Sequence, residues 1–440
     1  MSSFIRTSKY RHVFCDAPRT DAIFSNLRLS TVTGDQSYIK SNGLYFAVAV
    51  QGGGGPFQIV NLDKPGKIPG DAPVIQGHSA AVLDFDFNPF HDQMIASASE
   101  DQTVKVWGIP EGGLKENIKE PLVDMHGHQR KVTLLRFHPT ASNVLGSVSS
   151  DHTVKIWDIE KGTEMAQCAG AHTELINDLA WSWEGDNFAT SCKDKNVRIV
   201  NARDGSVTNT ITTAHEGAKS IKMTYLGSTG LLLTCGFTKQ SMRQFKIWDP
   251  RNTATHVKQV DVDQAAGVIM PFYDNDSNIL YLAGKGDGNI RYYEIVGENA
   301  SDVFPISDYR SSVSAKGACW IPKHKLNVMK CETAKILKLT SNSVEPLSFV
   351  VPRKSDSFQD DIFPDTAGQT PAHTQDEWFG GSSKTPIMVS LDPSKAPAGA
   401  AAAPKAFVAV KSAHQLQIEL DAANAKIAEL ETKLAAAGIN

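Results

Sequence analysis

The sequence predicts an all-β fold, a seven-bladed β-propeller, and three observations support this prediction. Two segments fifty residues apart carry the same residues at the same spacing: Gly77-His78, Asp101 and Trp107, then Gly127-His128, Asp151 and Trp157. Short segments between turn residues alternate apolar and polar side chains, as strands do. The length up to about residue 350 accommodates roughly seven units of ~40–50 residues, and closing such a ring hides the sheet edges.

Each of the two strong repeats ends in a predicted strand that follows a turn. In residues 103–107 the side chains alternate, which places Val104 and Val106 on one face and Trp107 on the other. Ser99 and Asp101 precede this strand, and an Asp side chain in a hairpin turn can hydrogen-bond to its own backbone. The repeat therefore contains the end of one hairpin of a blade.

The repeats resemble those of WD-repeat proteins, in which a His, an Asp, the Ser two residues before that Asp and a Trp form a buried hydrogen-bonded chain. This resemblance implies two structural tetrads, namely His78, Ser99, Asp101 and Trp107, and His128, Ser149, Asp151 and Trp157. Each polar group would gain a partner in a buried site. A catalytic Ser-His-Asp triad is the alternative. The duplication, the terminal Trp and the absence of a Gly-x-Ser-x-Gly elbow favour the structural interpretation.

Weaker copies of the repeat follow. The third has His172 and Asp194 with Val200 at the Trp position, the fourth has His215 and Trp248, and the fifth has Asp287 and Tyr293. Residues 44–60 and 317–339 lack the signature but still read as short strands between turns. Motif counting finds about five repeats, and the length favours seven blades.

Composition and charge exclude several function classes. The 440 residues have a mean hydropathy of −0.25, no apolar run near the ~20 residues of a membrane span and no signal-peptide core at the start. Six scattered cysteines without metal-ligand spacing predict reduced thiols in the cytoplasm and no metal site. A net charge of −4 argues against nucleic-acid binding. The glycines at 52–55 and 284–288 lack phosphate-loop context, so we predict no cofactor and no catalytic residues.

Longer strings give a more specific resemblance. The segments 8–14, 108–114, 271–274, 280–294, 352–356 and 358–366 are similar to those of the coronin family. The resemblance implies a propeller over residues 1–350, whose N-terminal strand closes the ring with the last blade, and an extension over 351–383 packed on its underside. Phe358, Ile362, Phe363 and Trp378 agree with docking of the extension, because such side chains need burial.

The C-terminal part changes in composition. Residues 384–411 contain four prolines and an alanine run and read as a flexible linker. Residues 412–440 begin with a capping box and continue as a predicted helix. Its apolar residues alternate at spacings of four and three, which indicates a coiled-coil seam. The seam includes Leu416, Leu420, Ile427, Leu430 and Leu434.

A lone helix of ~25 residues with one apolar stripe is marginal in water, so self-association is predicted. Packing of this helix on its own propeller is the alternative that the linker permits. Lys426 and Glu431 flank the seam and can pair between parallel chains. Residues 426–431 resemble the coronin trimerisation pattern with Lys in place of Arg, and Lys lacks the planar fork of Arg. A parallel homotrimer is favoured, and a dimer or tetramer remains open.

The resemblance implies binding to filamentous actin, and oligomerisation would let one assembly crosslink or bundle filaments. The first thirty residues supply the basic candidates for this contact, which are Arg6, Lys9, Arg11, Arg19 and Arg28. Arg28 matches the position of an Arg that related coronins use for filament binding, although any of the five could be an ordinary surface charge.

The resemblance also suggests contacts with the actin-related-protein branching complex and with cofilin, and a location at the actin cytoskeleton and cell cortex. A non-actin WD-repeat scaffold for multiprotein assembly is the alternative function.

Overall fold

The computed structural model describes residues 7–395 together with Asn424, Lys426 and Ile427. Seven antiparallel sheets are arranged in sequence order around a central channel, and the innermost strand of the last sheet contacts that of the first. The chain is therefore the predicted all-β seven-bladed propeller, and the repeats that lack a clear motif do form blades. No helix among the described residues is long and apolar enough to cross a membrane.

The first four blades follow the order of the repeats. Blade 1 contains Ile39–Ser41, Tyr45–Ala49 and Phe57–Asn61. Blade 2 contains Val82–Phe87, Met94–Ser99, Val104–Gly108 and Val123–Met125. Blade 3 contains Val132–Phe137, Val144–Ser149, Val154–Asp158 and Thr163–Cys168. Blade 4 contains Ile176–Trp181, Asn187–Cys192, Val197–Asn201 and Val207–Ile211.

The last three blades complete the ring. Blade 5 contains Lys222–Tyr225, Leu232–Phe237, Arg243–Trp248 and Lys258–Asp263. Blade 6 contains Ile269–Asp274, Ile279–Gly284, Ile290–Val296 and Asp302–Tyr309. Blade 7 contains Gly317–Trp320, Glu332–Leu339 and Val344–Val350. Short 3-10 turns lie at Thr20–Ala22, Gly227–Thr229, Glu298–Ala300, Lys323–Lys325, Val328–Lys330 and Pro393–Lys395.

The N-terminal segment supplies the outer strands of blade 7. Phe14–Asp16 and Phe24–Ser25 both pair antiparallel with Val344–Val350, and Gly66–Lys67 then pairs parallel with Phe24–Ser25. The two ends of the propeller sequence therefore share one sheet, as the resemblance implied. This closure leaves the blade with fewer unpaired backbone groups than an open end would have.

Residues 351–395 cross the face that carries the loops between the first and second strands of the blades. Near blade 7, Ile362 and Phe363 are buried with Tyr10 and Phe349. Further along, the N–H of Ala372 donates to the Thr140 carbonyl at 2.8 Å in the corresponding loop of blade 3. The short helix Gln375–Phe379 begins with a capping box from Thr374. This segment touches several blades and so acts as a strap across one face of the disc.

Trp378 anchors the far end of this strap. Its ring is fully buried, with its centroid 4.6 Å from that of His138 and 6.5 Å from that of Trp181. The guanidinium of Arg203 lies 4.9 Å from the centre of the Trp378 ring and donates to its carbonyl oxygen at 2.8 Å. The aromatic and cationic contacts together fix the helix against blades 3 and 4.

The structure corrects the predicted start of the linker at residue 384. Met388–Val389 pairs antiparallel with Thr366–Ala367, and Leu391 packs against the core cluster of blades 6 and 7. The prolines at 386 and 393 flank this short strand, and the apolar residues between them outweigh the linker composition. The remainder of the predicted linker, from residue 396, lies outside the described residues.

Candidate functional site

The buried hydrogen-bonded chain of blade 2 is present, but its serine is Ser97. Trp107 Nε1 donates to Ser97 Oγ at 2.8 Å, and that hydroxyl lies 2.7 Å from His78 Nε2. His78 Nδ1 lies 2.8 Å from Asp101 Oδ2. The chain of donors runs from the indole through the hydroxyl and the imidazole to the carboxylate. It ties the turn after the last strand of blade 1 to the hairpin of blade 2.

Blade 3 repeats this arrangement with Ser147. Trp157 Nε1 and His128 Nε2 both lie 2.7 Å from Ser147 Oγ, and His128 Nδ1 lies 2.9 Å from Asp151 Oδ2. Corresponding distances in the two blades agree within 0.1 Å, which indicates a structural unit rather than a single catalytic centre. Both imidazole nitrogens of each His are engaged inside the blade, which leaves neither free to act on a substrate.

The assignment of Ser99 and Ser149 to the tetrads was therefore wrong. Ser99 Oγ donates to the Ala80 carbonyl at 3.1 Å and accepts from the Asp101 N–H, so it closes the turn instead. Ser149 makes the same two bonds, to the Arg130 carbonyl and from the Asp151 N–H. Trp107 is opposite Ile95 in the strand ladder, and Ser97 is the next residue on that face. Counting strand pairs back from the Trp would have identified the correct serine.

Threonine replaces this serine in the next two blades. His172 Nε2 and His215 Nε2 each lie 2.8 Å from a threonine hydroxyl, that of Thr190 and of Thr234 respectively. Trp248 Nε1 donates to the Thr234 hydroxyl at 2.9 Å, so blade 5 keeps most of the hydrogen-bonded tetrad. In blade 4 the Trp position holds Val200, which explains why that repeat was weak in the sequence.

A buried arginine, Arg243, forms ion pairs that connect blades 5 and 6. Arg243 is fully buried and contacts Asp263 at 2.6 Å and Asp287 at 2.8 Å, while Arg291 contacts Asp263 at 2.7 Å. Opposite charges that are both desolvated and hydrogen-bonded satisfy one another. Sequence reasoning missed Arg243 because it lies in the segment that differs in length from the other repeats.

Substitution of Asp101 by Asn is expected to lower stability at neutral pH. Burial alone would raise the pKa of Asp101, but hydrogen bonds from His78, Thr103 and the Ser79 N–H outweigh burial and hold this pKa well below its ordinary value. The ionised carboxylate therefore stabilises the fold above about pH 4, and this contribution is lost as the pH falls through the folded-state pKa.

Thermal unfolding midpoints of the wild type and the Asp101→Asn variant measured from pH 7 to pH 3 test this expectation. The gap between the two midpoints should be widest at pH 7 and should narrow towards pH 3. The exposed Asp63 provides the control, since Asp63→Asn should leave the midpoint unchanged at both ends. A gap that stays constant over the whole range would contradict an electrostatic role for Asp101.

The four basic candidates that the structure describes do not form one patch. The N-terminal segment runs antiparallel to Val344–Val350, with Phe14 at the Val350 end and Phe24 at the Val344 end. Lys9 and Arg11 precede Phe14, and Arg28 follows Phe24, so these side chains lie at opposite ends of the blade. A strand of this length separates its ends by roughly 20 Å.

Three of the candidates have little support from the structure, and a fourth is not described by it. Lys9 Nζ donates to the Asp361 carbonyl at 2.8 Å and so fastens the N-terminal segment to the strap. Arg19 forms an exposed ion pair with Asp21 at 3.4 Å. Arg11 is exposed, and it lies at the end of blade 7 where the strap begins. Arg6 lies outside the described residues.

Arg28 has a different environment. Its side chain is exposed, its guanidinium lies beside Gly70, and among the described residues it makes no ion pair. The backbone at this point is fixed, because Leu27 and Leu29 on either side are buried and the Arg28 carbonyl accepts the Gln51 N–H at 2.9 Å. A charged side chain on a rigid backbone, without an internal partner, is available to a binding partner.

The central channel contains charged groups of opposite sign that form ion pairs. Arg136 lies 3.1 Å from Asp84 and 3.4 Å from Asp178, and Lys40 lies 3.1 Å from Asp86. These side chains link neighbouring blades from the inside. Within the described residues, no group of three or more His, Cys, Asp or Glu side chains could hold a metal ion.

Most of the predicted oligomerisation residues lie outside the described part of the chain, namely Leu416, Leu420, Leu430, Glu431 and Leu434. Lys426 and Ile427 are described, and both are helical. The Ile427 side chain is 53% exposed.

Models of protein families match much of the chain. A WD domain, G-beta repeat, matches residues 72–108 and 119–158, and a type of WD40 repeat matches residues 344–386. The WD40 domain of anaphase-promoting complex subunit 4 matches residues 165–226. A domain of unknown function, DUF1899, matches residues 3–67. This range includes Arg28 and the closing segment, which is the stretch from Phe14–Asp16 to Phe24–Ser25 that pairs with blade 7.

Two relatives are similar over most of their length. Coronin-A of Dictyostelium discoideum is 44% identical over 439 residues, which cover 99% of this chain and 97% of the relative. The crystal structure of the WD40 domain from Toxoplasma gondii coronin matches with a TM-score of 0.82 at 33% identity, and covers 87% of this chain and 98% of that one. A chain of the Mitotic Checkpoint Complex, with a TM-score of 0.55 at 18% identity over 77% of this chain and 91% of that one, shares the fold alone.

Proposed function

This chain belongs to the coronin family, and on that premise we propose that it binds filamentous actin through its propeller and crosslinks filaments by self-association of residues 412–440. The observation that carries the first half is Arg28, an exposed arginine on a fixed backbone at the family's expected position. Actin filaments are acidic, and complementary charge speeds and orients association.

The proposal that the chain crosslinks filaments rests on the apolar pattern of the predicted helix in residues 412–440 and on the shape of the propeller. A rigid disc has one filament-binding surface in this proposal, so crosslinking requires several discs in one assembly. The spacing of apolar residues by four and three supports association between chains. We favour a parallel homotrimer, with pairing of Lys426 and Glu431 between neighbouring helices.

The strap over residues 351–395 completes the proposed unit. It holds the N-terminal segment through Lys9 and Asp361 at one end and blades 3 and 4 through Trp378 at the other. We propose that it braces the disc, so that the closing segment with Arg28 keeps its position when filaments pull on the arms.

Family membership also motivates contacts with the actin-related-protein branching complex and cofilin, and a cytoplasmic location at the cell cortex. These partners remain proposals that rest on the family alone. A WD-repeat scaffold that does not bind actin is the alternative.

The Arg28→Asp variant is expected to bind filaments at least 10-fold more weakly than the wild type, with an unchanged unfolding midpoint. Loss of a central interface charge costs about 1.4 kcal/mol or more, and about 1.4 kcal/mol corresponds to a tenfold change in Kd. An exposed side chain contributes little to the stability of the fold. High-speed co-sedimentation over a range of actin concentrations measures the affinity.

Arg251→Asp is the matched control, since Arg251 is an exposed arginine of blade 5 whose carboxylate partner is Asp249. This variant should sediment like the wild type. Equal binding by Arg28→Asp and the wild type would remove Arg28 from the proposed contact.

A further inference from the structure

A cavity of about 340 Å³ lies where the strap passes the mouth of the central channel. Residues of the strap from Thr366 to Gln369 form one wall, and loops of blades 2, 6 and 7 form most of the others, with smaller contributions from blades 1, 3 and 4. Trp183, Trp320 and Tyr273 supply aromatic surface. The volume falls within the range of small-ligand sites, and the wall of mixed aromatic and polar groups is typical of them.

Three carboxylates line this cavity, and they differ in how fully their oxygens are hydrogen-bonded. Asp274 Oδ2 accepts from Lys323 Nζ and from Ser277 Oγ, each at 2.5 Å. Asp92 accepts from Lys325 at 2.8 Å and from Gln369 at 2.6 Å. The Asp276 carboxylate interacts with the side chains of Thr366 and Asn275, but among the described residues its buried Oδ2 has no hydrogen-bond partner. A buried carboxylate oxygen without a partner is costly and calls for an occupant.

His324 supplies a second unsatisfied acceptor. Burial, and then the charge of Lys325, lower the pKa of His324 to about 4, so the ring is neutral at pH 7. The Ala367 backbone interacts with the ring. Nε2 has no hydrogen-bond partner among the described residues, so it is an unsatisfied acceptor in the tautomer that carries the hydrogen on Nδ1.

We propose that this cavity binds a guanidinium cation, such as that of an arginine side chain. A guanidinium carries several N–H donors in one plane, so it can serve the Asp276 and His324 acceptors together. Its flat faces stack on aromatic rings, which Trp183 and Trp320 provide. An ammonium group has the charge but lacks the flat faces. Two candidate ligands are too few for a protein-bound metal site.

The charge of Asp276 gives the site a pH dependence. Burial, and then the neighbouring Asp274, raise the pKa of Asp276 to about 6, and Lys323 partly offsets this rise. Asp276 is therefore ionised at pH 7.5 and increasingly neutral below pH 6, so binding of a cation should weaken as the pH falls. The other titratable groups that line the cavity are Asp92, Tyr273, Asp274, Lys323 and His324.

Isothermal titration calorimetry of the full chain at pH 7.5 tests the proposal with Nα-acetyl-arginine amide. Nα-acetyl-citrulline amide, which has the same shape without the charge, is the control ligand. The arginine probe should bind saturably and at least 10-fold more tightly than the citrulline probe, and its affinity should fall at pH 5.5. A blocked Gly-Gly-Arg-Gly-Gly peptide distinguishes a guanidinium of a protein partner from that of a free small molecule. Binding of this peptide supports an arginine of a protein partner, and binding of the amide alone supports a free small molecule.

Two variants, Asp276→Asn and His324→Gln, separate an effect on binding from an effect on folding. Asp276→Asn preserves the side-chain shape and should reduce binding of the arginine probe at least 10-fold without lowering the unfolding midpoint. His324→Gln should reduce it by a smaller factor, because an amide still offers an acceptor. Asp71→Asn, at an exposed aspartate, should bind like the wild type. Absence of saturable binding at millimolar probe, or equal binding by Asp276→Asn, would overturn the proposal, whatever the outcome for actin.

Discussion

Truncation after residue 400 is expected to abolish filament bundling and to leave weaker filament binding. The truncated chain keeps the propeller, Arg28 and the strap, and loses the predicted coiled coil. Linking several discs raises their joint affinity by 10²–10⁴-fold without a new contact, so the loss should appear in both assays. Low-speed sedimentation measures bundles, and high-speed sedimentation measures binding.

A point variant separates loss of association from loss of residues. Leu430→Glu places a charge in the predicted seam, whereas Thr432→Glu places the same charge on the opposite face of the helix. The first should sediment as a monomer in analytical ultracentrifugation and should fail to bundle, and the second should behave like the wild type. Bundling by the truncated chain at wild-type levels would mean that a single disc holds two filaments.

Trp378→Ala is expected to destabilise the protein by about 3–5 kcal/mol, the range for removal of a large buried aromatic side chain. Trp378 is fully buried between His138, Trp181 and Phe379 and beneath Arg203. Its removal would leave a cavity at the point where the strap meets blades 3 and 4. The midpoint of urea unfolding, with a check that its slope is unchanged, measures the effect.

Trp378→Phe is the matched control for this site. The Trp378 Nε1 hydrogen has no partner among the described residues, so Phe removes an unsatisfied donor as well as some contact area. We expect it to cost much less than Ala. A loss below 1 kcal/mol for Trp378→Ala would show that the strap contributes little to the stability of the disc.

The ring of blades was predictable because the offsets among His, Asp and Trp reflect one hairpin that recurs. Blade 4 was harder to identify, since Val200 replaces the Trp, and there His172 bonds to Thr190. The wrong choice of Ser99 over Ser97 arose from counting along the sequence. The tetrad is built across the strand ladder, where the position opposite Trp107 decides which hydroxyl the indole reaches.

Other features depend on contacts distant in sequence. Arg243 is buried because Asp263 and Asp287 lie in neighbouring hairpins, and nothing local to Arg243 indicates that. The separation of Lys9 from Arg28 follows from the closing segment, which spreads the N-terminal basic residues along a whole blade. The strap extends past residue 384 because Met388–Val389 finds a partner in Thr366–Ala367, while proline content alone suggested a linker.

High-speed co-sedimentation of the full chain with filamentous actin at physiological salt tests the central proposal most directly. We expect saturable pelleting of the full chain with actin, at least tenfold weaker binding by Arg28→Asp, and unchanged binding by Arg251→Asp. If the full chain stays in the supernatant at actin concentrations well above the micromolar range, this protein does not bind filaments. The propeller would then be a scaffold for other partners.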